Sequence, residues 1–164
     1  MVSRMRLAML VAACAVIGAT LFASAAERSL GPLSVGSWKL DAAKSNYGNA
    51  AAPKSELLVV AAENADSIKW NIMGAMPDGK TYFSSYEGPI DGQDHPMKGS
   101  VDGAMIAYTR TGSGLKWVVK DKTGAVVETA SGVISPDDKN LTIKGTTANN
   151  GQQTPFVSVF YKIK

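Results

Sequence analysis

Among the side chains able to do acid–base or metal chemistry, His95 is the single histidine, and it stands in Asp91-x-x-Asp94-His95. One imidazole beside two carboxylates suggests a general acid–base pair or part of a metal site. Zinc takes three or four protein ligands, so this group alone is a poor donor set. The same residues also read as a polar hairpin loop that Pro96 ends. The loop is the expected reading: no catalytic residue, no metal site and no cofactor. The chain has no Ser-His-Asp array, phosphate-cradling glycine loop or dinucleotide fingerprint. An isomerase or hydrolase using Asp94 and His95 is the enzymatic alternative.

Arg110 carries the sharper expectation. It ends the segment AMIAYTR, where Ala104, Ile106, Tyr108 and Arg110 share one face if the segment is extended. With Ile106 and Tyr108 facing an apolar interior, the guanidinium faces it too. A planar fork in such a place suits a carboxylate or phosphate on a ligand. The competing reading is a strand-end arginine reaching water over its apolar stem. Tyr82 and Tyr86 share a face with Ser84, and with Trp70 and Trp117 they are candidates either for a ligand pocket or for the core.

The elements that position these residues repeat every two residues. Ile68, Trp70 and Ile72 alternate with Ser67, Lys69 and Asn71. Trp38 and Leu40 alternate with Ser37, Lys39 and Asp41, and Leu141 and Ile143 with Thr142 and Lys144. Such alternation predicts strands with one wet face. The run 57–62 is apolar throughout, as in a strand covered on both faces or a bulged one. Short turn signals separate the runs: Asn64-Ala65-Asp66, Pro77-Asp78-Gly79, Asp91-Gly92, Lys122-Thr123-Gly124 and Pro136-Asp137-Asp138. Connections this short join antiparallel neighbours. Strands are predicted near 35–41, 54–62, 67–76, 80–87, 95–99, 104–110, 115–121, 125–134, 139–147 and 155–163. The fold class is all-β, an antiparallel up-and-down barrel of about eight to ten strands, with a two-sheet β-sandwich as the alternative.

Residues 1–26 read as a signal peptide: Arg4 and Arg6, then an uncharged stretch from Leu7 to Phe22, then Ala23-Ser24-Ala25. The expected product is one domain over 27–164, secreted or periplasmic. The only cysteine, Cys14, lies in the leader, which leaves the domain without disulfides or thiolate sites. Val11-Ala12-Ala13-Cys14 also allows a lipoprotein anchored at Cys14. Of the 17 basic residues, Arg4 and Arg6 lie in the leader, leaving 15 against 14 acidic ones and a net charge of +1. No basic run offers a footprint for nucleic acid. Lys39, Lys69, Lys116, Lys120 and Lys144 on the wet face argue against stable membrane insertion as an outer-membrane barrel.

Gly36-Ser37-Trp38 forms a G-x-W on the first predicted strand, followed by KLDAAKSNYG. A PKS segment, the stretch SPDDKNLTIKGTTANNGQ and the closing FVSVFYKIK come later. In these features the chain resembles the calycin superfamily, most of all the small secreted lipocalin-like proteins of bacteria. The resemblance implies a barrel with a ligand interior and places Trp38 across its closed end. It also implies an arginine from the last strand over that indole, where this chain offers only Lys162 and Lys164. The expected function is binding of a small apolar or amphipathic molecule in the barrel, an acidic one among the options. A non-binding structural protein of the cell envelope is the alternative.

Overall fold

The computed structural model describes residues 35–163 apart from residues 100, 113 and 150. The leader, Cys14 and Arg28 lie outside the described residues. Eleven strands follow in chain order: β1 (Gly36–Leu40), β2 (Ser55–Glu63), β3 (Ser67–Ala75), β4 (Thr81–Pro89), β5 (His95–Pro96), β6 (Lys98–Gly99), β7 (Met105–Thr111), β8 (Gly114–Lys120), β9 (Val126–Ile134), β10 (Asn140–Asn149) and β11 (Gln152–Lys162). All pairings are antiparallel and join chain neighbours, except that β5 pairs with β7, β4 with β6, and β11 returns to β1, Trp38 opposite Lys162. The molecule is an all-β up-and-down barrel, nearly closed.

The seam lies at residues 95–99. The sequence predicts one strand there, and the structure divides it in two. His95 and Pro96 pair with Ile106 and Met105 of β7. Lys98 and Gly99 pair with Ser85 and Ser84 of β4. Pro96 has no amide hydrogen to give to a ladder, so the segment cannot pair along its full length with both neighbours. Gly99 adopts φ 147°, and a Cβ there would collide with the Phe83 carbonyl and Ser84. Only glycine lets the backbone come this close to β4.

Alternation decides which side chains face inward. Trp38, Leu58, Val60, Ile68, Trp70, Tyr86, Ile106, Tyr108, Leu115, Val119, Leu141 and Phe160 form one buried core. Asn and Asp side chains tie the predicted turns. Asn64 Oδ1 accepts from the Asp66 and Ser67 amides, and Asp121 Oδ1 from those of Thr123 and Ala125. One barrel end, here called upper, carries the loops 41–54, 76–80, 101–104 and 121–125. The lower end carries 64–66, 90–94 and 135–139.

The lower end is filled. Trp38 is fully buried, and Lys162 Nζ lies 5.1 Å from its ring centroid, a cation–π contact from the last strand. The same ammonium pairs with Asp138 Oδ2 at 2.7 Å.

Candidate binding cavity

A cavity of about 510 Å³ occupies the barrel above Trp38. Its wall is mostly apolar and includes Leu58, Ile72, Met97, Ile106, Leu115, Ile143 and Phe160. The loop residues on it, Tyr47, Ala50, Ala51, Pro53 and Val101, all come from the upper end. Tyr47 is fixed there by stacking on Phe156, 6.2 Å between centroids, and by a 2.8 Å hydrogen bond that the Ser158 hydroxyl donates to it.

Four aromatic side chains make a continuous row around the barrel. Trp70 to Tyr86 is 6.5 Å, Tyr86 to Tyr108 is 5.4 Å, and Tyr108 to Trp117 is 5.8 Å between ring centroids. Tyr86 belongs to β4 and Tyr108 to β7, so their contact bridges the seam where backbone pairing is interrupted. Trp70, Tyr82, Ile106, Tyr108 and Trp117 reach the cavity wall, whereas Tyr86 is buried in the row without lining the cavity. Tyr86 instead donates to the Pro89 carbonyl at 2.8 Å.

Arg110 is on the inward face, as its parity with Ile106 and Tyr108 predicts, but it is already engaged. Its Nη1 lies 2.9 Å from Glu63 Oε1, its Nε donates to the Ala65 carbonyl at 3.1 Å, and its Nη2 donates to the Asn64 carbonyl. The guanidinium is a strut from β7 to the β2–β3 turn and is not on the cavity wall. Glu63 escapes alternation because a bulge shifts the register between Val60 and Ala62. The run 57–62 is thus the bulged strand, and the extra residue turns Glu63 inward, where 6% of it is exposed.

Two further carboxylates reach the cavity, Glu56 and Glu128. Glu56, Gly74 and Tyr82 stand opposite one another on β2, β3 and β4. A Cβ at Gly74 would strike the Tyr82 ring, so glycine there lets the phenol cross β3 and donate to Glu56 Oε2. Burial pushes the Glu56 carboxyl up to about 7. The Tyr82 hydrogen bond opposes the rise and the charge of Glu128 adds to it. Glu128 accepts a 2.7 Å hydrogen bond from Trp117 Nε1–H. Burial raises its carboxyl too, against that bond. A second register shift, between Val119 and Lys120, brings Val127 and Glu128 onto the wall together.

The sequence reading missed all three glutamates. Glu56 was accessible to it, since its parity matches Leu58 and Val60, and so does Glu128, whose parity matches Ala130. Glu63 was not, because the bulge reverses its side. The Asp91–Asp94–His95 group is elsewhere, outside the cavity wall. His95 Nε2 lies 3.0 Å from Asp91 Oδ1, while Asp94 turns to Lys120 Nζ at 2.6 Å. Among the described residues, no three His, Cys, Asp or Glu side chains converge as a metal site requires.

No protein-family model matches the chain, and no curated protein matches it.

Proposed function

We propose that this barrel is a calycin-like binding protein that takes up a small, predominantly apolar molecule through its upper end. The observation that carries the reading is the cavity of about 510 Å³. It lies within the range of small-molecule sites, and its wall is apolar with a few converging polar groups, as such sites are built. The calycin assignment is supported by the up-and-down topology, by Trp38 buried at the lower end and by the last-strand cation over its indole. The leader-like sequence of residues 1–26 supports secretion as part of this reading.

The test is titration with the neutral fluorophore N-phenyl-1-naphthylamine, whose emission rises in apolar surroundings. The expected result is saturable 1:1 binding, weakened about tenfold or more by Ile72→Trp, which fills the cavity without changing its charge. Absence of saturable binding by the wild type, or equal affinity in the filled variant, overturns the reading.

A further inference from the structure

We infer that the molecule held in this cavity is a cationic amphiphile, a protonated amine on an apolar body, with its ammonium group between Glu56 and Glu128. The inference rests on the proposed binding function and specifies the chemistry of the ligand.

The charge inventory of the wall points this way. Glu56, Glu63 and Glu128 line the cavity, and the described lining residues include no lysine, arginine or histidine. Glu63 meets a cation, Arg110, below the cavity. Among the described residues, Glu56 and Glu128 meet neutral donors, the Tyr82 hydroxyl and the Trp117 indole N–H. A carboxylate desolvated in an apolar wall without a countercharge is costly, and these two also repel each other. An entering ammonium removes both penalties and donates up to three hydrogen bonds. A carboxylate ligand would add a third like charge.

Two independent features agree. The second carboxylate oxygen of Glu63, Oε2, is buried and has no hydrogen-bond partner, so the wall keeps unused acceptor capacity in a residue that is 6% exposed. Trp70, Tyr108 and Trp117, which line the same space, are the side chains whose π-systems attract an organic cation. Glu56 and Glu128 stand on the regular inward faces of β2 and β9, and the bulge at Ala61 adds Glu63 to the same side.

The experiment is calorimetric titration of the wild type with three ligands sharing one tail: decylamine hydrochloride, decanol and decanoate. At pH 7.5 decylamine should bind about tenfold or more tightly than decanol, with decanoate weakest. In Glu56→Gln/Glu128→Gln the affinity for decylamine should fall to about that for decanol, which itself changes by less than about twofold. Glutamine keeps an acceptor for Tyr82 and Trp117, and a melting curve verifies that the variant folds. If it does not fold, the wild-type ranking alone decides. Decanol or decanoate binding as tightly as decylamine overturns the charge inference and leaves the binding function standing. Failure to bind decylamine at all overturns it too, and the N-phenyl-1-naphthylamine titration then tells whether the binding function falls with it.

Discussion

Arg110 and Glu63 show how a side chain can be placed correctly by sequence and still have its partner misread. Parity with Ile106 and Tyr108 puts the guanidinium inside, and an inward arginine asks for an acid. The acid is the protein's own Glu63, whose side chain is completely enclosed while Arg110 retains 24% exposure. Removing one partner of a buried pair strands the other, so Arg110→Met should cost about 3 kcal/mol, the lower part of the range because Arg110 is partly wet. Adding Glu63→Gln to Arg110→Met should recover most of the loss. Urea midpoints of the three proteins measure this, and an unchanged midpoint in Arg110→Met would mean that the strut bears no load. The sequence hid the pair for a physical reason. A bulge adds one residue to a strand without any compositional mark, and in 57–62 every residue is apolar, so no polar position dates the change of phase. Glu56 and Tyr82 were legible one at a time, but their meeting depends on Gly74 leaving the space between them empty. The aromatics, in contrast, were legible as a group, because alternation alone brings Trp70, Tyr108 and Trp117 to one surface.

At the scale of elements, strand positions were readable to within one or two residues wherever a turn signal bounded a period-two run. The predicted 67–76 is observed as Ser67–Ala75, and the predicted 125–134 as Val126–Ile134. The last strand begins three residues before the predicted 155–163, at Gln152, and 95–99 differs in kind, since the alternation of five residues does not reveal that the two halves choose different neighbours. That choice rests on Pro96, which withholds a donor, and on Gly99, which permits contact with β4. Gly99→Ala should therefore cost about 1–3 kcal/mol through overpacking and backbone strain at a positive φ. Gly124 also has a positive φ, 83°, but nothing would lie within 4 Å of a Cβ there. Gly124→Asn, a residue that tolerates this conformation, should cost within about 1 kcal/mol. Thermal melts of the two variants give the comparison, and equal losses would assign no special role to the seam.

The whole molecule carries its buried carboxylates as a pH dependence. Glu56 titrates near 7 in the folded state against about 4.5 for its ordinary value. The native state therefore holds a proton that the unfolded chain has released between these limits. Its contribution is fully present below about pH 4.5 and is lost as pH rises through 7, on the order of 3 kcal/mol in all. The groups facing it are Tyr82, which holds it down by its hydrogen bond, and Glu128, which pushes it up. Tyr47 also interacts with it, its own phenol raised first by burial and further by Glu56. Glu128, raised in the same direction, adds to the slope. The exposed turn aspartates Asp78, Asp91, Asp121 and Asp137 are shifted down, so their effect has the opposite sign and lies at more acidic pH. Urea midpoints should fall between pH 5 and pH 8, and Glu56→Gln should flatten much of the fall. A wild type as stable at pH 8 as at pH 5 would contradict the buried-acid picture. The seam has its own bearing on how this molecule moves. Long ladders such as β10–β11 open only when many paired amides let go together, whereas β4 is held to β6 by the short pairing at Ser84 and Ser85. Amide protons of Lys98 and Gly99 should thus exchange with solvent deuterium well before those of Ile143 and Lys144. Because Met97 stands at the division and lines the cavity, each such local opening loosens the cavity wall while the rest of the barrel stays shut.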